Sequence, residues 1–316
     1  MFKPSVLIVA LGILIGSVST GYCTRPNVDV WNLRHDEGSG AFGEVVFDGN
    51  LFVAVGHDPV GTIFKSSDGE TWNSATSGST ALLSGATYGE GLFIVTGSGG
   101  EILSSTDGVI WTKQGDGITT ATLSCAAYGD GFFLAGGSGG KIVKSVDGTT
   151  WEEYSTTESA WLYGMEYGDG SFVSVGGGGV IHTSPDGQVW TKRTSGTGND
   201  LNSVTYGSGL FVAVGTGGTI LSSPDGVSWT PKTSGVVSHL SGVHYAYGKF
   251  VAVGDSGVIL YSADGANWSK PNSGATSNLV EVTAGKNTFV VVGEERKIYQ
   301  SATEGMNVLY MSPALR

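Results

Sequence analysis

Basic residues, cysteine and long apolar runs are all scarce in this chain. Lys and Arg together number 16 against 28 Asp and Glu, a formal net charge of −12. That balance opposes non-specific binding to DNA, RNA or anionic lipid and sets nucleic-acid function aside. Only two cysteines occur in 316 residues, Cys23 and Cys125, so disulfides do not hold the fold together and apolar packing must. Charged residues make up 14%, against about 25% in an average domain. Disordered chains are charge-rich and poor in aromatics; with 8 Trp, 12 Tyr and 12 Phe this one reads as folded. One long apolar stretch exists, Val6 to Ile15, preceded by Lys3 and followed by the small polar run from Gly16 to Gly21. It is short for a bilayer span, which takes about 20 apolar residues. Residues 1–23 therefore read as a secretory signal peptide cut between Gly21 and Thr24, with lipid modification of Cys23 as the weaker alternative. The expectation is an exported protein, periplasmic or extracellular, with no stable membrane insertion once the signal is removed.

Glycine is what the chain has in excess: 53 residues, well above the usual 7% or so. Each costs about 1 kcal/mol inside a helix, so the composition points to an all-β protein with tight turns. A search for self-similarity sharpens this. The segment from Leu201 to Trp229 recurs along the chain, and its tryptophan marks the copies Trp72, Trp111, Trp151, Trp190, Trp229 and Trp268 at spacings of 39 or 40. One further unit in each direction reaches Trp31 and Val308, giving seven units. Each contains four stretches of strand character: Leu201–Tyr206, Leu210–Val214, Thr219–Ser222 and a fourth opened by Trp229. Between them lie an Asp-Gly or similar hairpin turn, a Gly-rich turn and a Ser-x-Asp-Gly-x-x-Trp element. Runs such as LFVAV (210–214) and TFVVV (288–292) are nearly continuous, as befits strands covered on both faces. The prediction is one domain over 24–316: a seven-bladed β-propeller of four-stranded antiparallel blades with a repeat of about 40 residues. An outer-membrane barrel would alternate polar and apolar residues, and an open solenoid would carry polar end caps; neither pattern is present. Trp31 and Val308 compete for one place in the last blade. The degenerate copy from Ser301 to Val308 favours closure by the N-terminal strand, Val28 to Leu33, leaving the C-terminus as a short tail.

The six turns ending in Trp72, Trp111, Trp151, Trp190, Trp229 and Trp268 resemble the Asp-box, or BNR, repeat of sialidases, sortilin-type receptors and the photosystem II stability/assembly factor family. They lack the residue that the commonest pattern places between Asp and Gly. Asp68, Asp107, Asp147, Asp186, Asp225 and Asp264 are read as structural, each accepting backbone N–H groups of its own turn. The sialidase likeness would imply an enzyme only if an arginine cluster held a substrate carboxylate at the centre. The arginines are Arg25, Arg34, Arg193, Arg296 and Arg316, and their places in the repeat keep them from converging. The assembly-factor likeness implies instead an exported propeller that acts by binding a partner.

In propellers of this type the first strand of each blade lines the central channel. Aligning those strands on Tyr88, Tyr128, Tyr167, Tyr206 and Tyr245 yields one column with Glu44, Gly85, Cys125, Gly164, Ser203, Gly242 and Glu281. A second holds Val46, Thr87, Ala127, Glu166, Thr205, His244 and Thr283. Glu44 and Glu281 could share a proton or bind a cation, and Glu166 with His244 could form an acid/base pair. The plainer reading is scattered polar positions in a solvated channel wall, and Cys125 reads as a small packed residue. His35, His57, His182 and His239 fall elsewhere in the repeat, so neither a metal site nor a cofactor is expected. The connections between blades are less regular. They supply Arg34, His35, Asp200 and His239, together with Trp161 near Tyr154 and Glu158, as candidate binding residues. Trp161 stands where other units have Leu82, Thr122, Asp200, His239 and Asn278, so it could anchor a protein or stack on a sugar. The reading favoured is a non-enzymatic scaffold for a protein partner; the alternatives are a sialidase-like carbohydrate-active enzyme and a glycan-binding adhesin.

Overall fold

The computed structural model describes residues 22–58 and 60–307; residues 1–21 of the stretch 1–23 read as a signal peptide, and the tail from Val308, lie outside them. The chain forms seven antiparallel sheets in a ring, six built from four strands and one from three. The first blade runs through Ala41–Phe47, Phe52–Asp58, Thr62–Ser66 and Asn73–Thr76. Five more units follow in the same order. The seventh combines Leu279–Gly285, Thr288–Gly293 and Ile298–Asn307 with the N-terminal strand Tyr22–His35. The ring is thus closed from the N-terminal side.

The closing strand is longer than the segment Val28 to Leu33 read from the sequence. Other blades turn after their third strand at Ser-x-Asp-Gly. In the last unit that turn has decayed, so the third strand runs on and Ala302 to Asn307 pair with Tyr22 to Asn27. A second difference lies in the sixth blade, whose fourth strand is reduced to one bridge, Tyr261 to Ser269. Both bonds of that pair form, at 2.9 Å. The next bonded pair would place residue 271 opposite Ile259, and Pro271 has no N–H to donate. In the fifth blade Pro231 instead opposes Leu221, between the bonded positions, and the strand Thr230–Lys232 survives. The fourth strands also start one residue after their tryptophan rather than on it, as in Asn73–Thr76.

Apolar clusters fill every junction between neighbouring blades. Each second strand inserts one Phe at the same place, Phe52, Phe93, Phe133, Phe172, Phe211, Phe250 and Phe289, all essentially inaccessible; burial of each contributes about 2 kcal/mol or more. Near the channel a tighter interlock repeats. The glycine that ends one first strand lies under the aromatic ring of the next blade. A Cβ on Gly89, Gly129, Gly168 or Gly207 would stand 2.1, 2.2, 2.2 or 2.0 Å from Tyr128, Tyr167, Tyr206 or Tyr245. Where the next blade has Ala284 instead of Tyr, the glycine is replaced by Ala246. There Tyr247 from the sixth blade reaches over to Phe289, ring centroids 5.8 Å apart and edge-on, while Asn287 N–H donates to its hydroxyl. From the second blade to the seventh, the hairpins between first and second strands are two-residue turns with positive φ at both positions, as at Asp130 with 49° and Gly131 with 80°, the type I′ geometry that suits strand twist.

Gly168→Ala is expected to cost roughly 1–3 kcal/mol through overpacking, read as a lowered urea midpoint. The same change in a Tyr206→Gly background should cost much less, because both the ring and the Cβ it strikes are gone.

Candidate functional site

The propeller has two faces and a channel. One face carries the hairpins between first and second strands and the six Ser-x-Asp-Gly-x-x-Trp turns. In the first of these turns Asp68 Oδ1 accepts the N–H groups of Glu70 and Thr71 and the hydroxyl of Ser66, all at 2.8 Å. Asp107, Asp147, Asp186, Asp225 and Asp264 repeat the pattern. Those N–H donors hold the carboxyls below the usual carboxylate range, Asp225 at about 2. The indole N–H of Trp72 donates to Gly69 O at 3.1 Å, and Trp151, Trp190, Trp229 and Trp268 do the same. In each of these carboxylates Oδ1 is engaged by its own turn.

The channel is lined by the first strands of all seven blades around a cavity of about 290 Å³. Glu44, Glu166, His244 and Glu281 all border it, and no Lys or Arg does. Each glutamate accepts the N–H of the residue after it: Val45 at 3.0 Å, Tyr167 at 3.1 Å and Val282 at 2.9 Å. Burial without a counter-ion pushes Glu44 and Glu166 up to about 8. Glu281 is raised well above the ordinary range by burial and then by the charge of Glu44, its neighbour across the closing seam. His244 is pushed down to about 4 by burial alone, with no contribution from Glu166, so the acid/base pair conceived from sequence is not formed. Cys125 is buried, its thiol pushed up to about 12, and its Sγ–H donates to Gly136 O at 3.4 Å. Among the described residues no three His, Cys, Asp or Glu side chains gather as metal ligands.

The opposite face carries the connections between blades and the short turns between second and third strands. The two are tied within each blade, as where Gly177 N–H donates to Trp161 O and Thr216 N–H to Asp200 O, both at 2.9 Å. Asp200, His239 and Asn278 add a tie to the preceding blade: Asp200 Oδ1 accepts from Gly178 N–H at 2.7 Å, His239 Nδ1 from Gly217 N–H at 3.0 Å and Asn278 Oδ1 from Ser256 N–H at 2.9 Å. Asp200 and His239, read as binding residues, therefore staple blades together. The sequence signal was available, since Asp, His and Asn in one column all accept an N–H.

Trp161 takes the same position, but indole nitrogen only donates. Its N–H goes instead to Ser124 Oγ at 2.8 Å, and Ser124 donates to Leu162 O at 2.6 Å. The ring stays 43% exposed and stacks with Tyr163 at 6.3 Å between centroids and 29° between planes. Tyr163 borders the channel, so the pair stands at its mouth. The grouping with Tyr154 and Glu158 is not formed: Tyr154 packs on the cluster around Leu134 and donates to Glu152, and Glu158 pairs with Lys192 at 2.5 Å. Sequence reasoning missed Tyr163, although its column, with Ser84, Ser124, Asn202, Ser241 and Val280, was open to the same alignment.

Arg34 lies on the outer rim, paired with Glu70 at 2.9 Å and donating to Gln300 at 3.0 Å. His35 packs its ring on Phe64, centroids 4.9 Å apart, with Nε2 3.3 Å from Glu37. Arg193 donates to Thr183 Oγ1 at 2.9 Å, and Arg296 is held by Glu37 at 2.6 Å and Ser39 O at 3.0 Å.

The fold and these sites define a seven-bladed β-propeller with an asymmetric channel mouth. A family described as the DUF6242 beta propeller domain matches residues 170–276. No curated protein matches the chain by sequence. Among solved structures it is similar to YCF48 bound to a D1 peptide, with a TM-score of 0.72 at 16% identity over 92% of this chain and 100% of that one. YCF48 from Cyanidioschyzon merolae matches with a TM-score of 0.68 at 16% identity, covering 86% of this chain and 98% of that one. Virginiamycin B lyase from Staphylococcus aureus has a TM-score of 0.75 at 13% identity, over 89% of this chain and 99% of that one. At these identities the likeness is one of fold.

The half-buried channel carboxyls set a pH dependence of known sign. With a folded value near 8 against an ordinary 4.5, Glu166 binds its proton more tightly in the native state. Its contribution to stability is full below about 4.5 and is lost as pH rises through about 8. Glu166→Gln should therefore match the wild type at pH 4 and exceed it at pH 9, by on the order of 2 kcal/mol, in urea unfolding at the two pH values.

Proposed function

We propose that this protein is an exported, non-enzymatic scaffold that holds a polypeptide partner on the face formed by the connections between blades, with Trp161 as the anchor. The observation that carries the reading is the state of that side chain. A large aromatic fixed by a hydrogen bond to Ser124 and stacked on Tyr163, yet 43% exposed, presents apolar surface that the fold itself does not use. Support for a binding role rather than chemistry comes from the channel, which has no arginine to grip a carboxylate and whose glutamates and histidine are driven towards their neutral forms. The fold likeness to YCF48, one of whose structures holds a D1 peptide, supports a protein partner. The recurring Ser-x-Asp-Gly-x-x-Trp turns support membership of the Asp-box propellers. Export rests on the apolar segment and polar run before Tyr22.

Crosslinking mass spectrometry on the native exported fraction tests this. One reproducible protein partner should link through lysines on this face, Lys113 or Lys192, and Trp161→Ser should cut its recovery at least tenfold, since a hot-spot aromatic is worth about 2 kcal/mol or more. Links only within the protein, or a partner indifferent to Trp161→Ser, would overturn the reading. Trp161 fluorescence quenched by a glycan but by no protein fraction would transfer it to a sugar.

A further inference from the structure

The channel mouth is chemically lopsided, and the ring fixes how. Glu44 belongs to the first blade and Glu281 to the seventh, so both flank the closing seam. In a ring of seven the blade diametrically opposite that seam is the fourth, which carries Trp161 and Tyr163. The stacked aromatic pair therefore faces the two carboxyls across the mouth. The other members of their column are Gly85, Cys125, Gly164, Ser203 and Gly242, so Glu44 and Glu281 carry the only long side chains among the seven. The cavity of about 290 Å³ has room for several waters at about 30 Å³ each, and equally for one long unbranched side chain.

The lining holds three carboxyl groups, one histidine that burial keeps towards its neutral form, and no Lys or Arg, and the chain as a whole carries −12. Each carboxyl accepts a backbone N–H of the channel wall, but no Lys or Arg faces any of them, and acids held without a counter-ion concentrate at functional sites. An aromatic face on one side and a carboxyl pair on the other match the two preferences of an ammonium or guanidinium group. The indole N–H is already bound to Ser124, which fixes the ring and leaves its π face as the surface on offer.

We propose that the mouth between Trp161–Tyr163 and Glu44–Glu281 seats a lysine or arginine side chain of the partner polypeptide. This rests on the polypeptide-binding reading and narrows it to a partner that presents an exposed cationic residue. The ionisable groups around the seat are Glu44, Glu281, Glu166, His244, Cys125, Tyr88, Tyr128 and Tyr163, with Asp200 beside Tyr163. Because the carboxyl pair holds a proton when the channel has no cation, entry of one expels that proton, and binding tightens as pH rises.

The test follows the indole N–H resonance of Trp161 in the full mature protein, ¹⁵N-labelled, in about 150 mM salt so that exposed charges are screened. The probes are end-capped Gly-Gly-Lys-Gly-Gly, its Arg counterpart and its Gln counterpart. A saturable shift is expected with the Lys or Arg peptide, at least tenfold weaker with Gln, and at least fivefold tighter at pH 9 than at pH 6. Glu44→Gln with Glu281→Gln should weaken binding at least tenfold and remove the pH dependence. Asp130→Asn with Asp169→Asn, at hairpin tips on the opposite face, should leave binding unchanged. Equal response to the Gln peptide, equal loss in the hairpin-tip variant, or no saturable shift would overturn the seat. A crosslinked partner lost in Trp161→Ser would still stand in that case, so the two proposals fail separately.

Discussion

Every blade of this protein needs a neighbour on both sides. Its second and third strands are apolar on both faces, and the residues that cover them belong to the next blade and the one before. The constraint is severe near the axis, where Tyr206 lies so close over Gly168 that no side chain fits between them. Such packing has no stable open end, so the sheet series must return to its start. The strand that brings it back is N-terminal and pairs with the last strand of the chain. Hydrogen bonding between those two strands completes the seventh blade, and the N-terminal strand then leads covalently into the first.

A closed ring of near-identical units is a neutral frame, and its chemistry lies in the positions where the units differ. The column of connecting residues has polar side chains tying blades together at Asp200, His239 and Asn278, and an aromatic that is left exposed at Trp161. The channel column is small except at Glu44 and Glu281. The seven-fold frame sets these two exceptions against each other across one opening. Neither would amount to a site alone; the geometry of closure is what pairs them.

Much of this was legible in the sequence because repeats convert one reading into seven. The tryptophan spacing and the Asp-Gly and Ser-x-Asp-Gly turns specify blade count, strand order and the residues that face the channel. What was not legible depends on contacts between units. Asp200 and His239 look like loop residues free to bind until the turn of the preceding blade is placed beside them. Tyr154 and Glu158 are near Trp161 in sequence but lie on an outer strand and in an ion pair. Ser124, 37 residues away, is the partner the fold supplies. The loss of the fourth strand in the sixth blade turns on whether a proline falls on a bonded or an unbonded position, a matter of register.

The account stands most directly on a structure of the protein with its captured partner. It predicts the partner on the face of the inter-blade connections, packed on Trp161, with a lysine or arginine side chain lowered between Tyr163 and the pair Glu44–Glu281. A partner seated on the outer rim or over the Ser-x-Asp-Gly turns, with Trp161 still facing solvent, would contradict it.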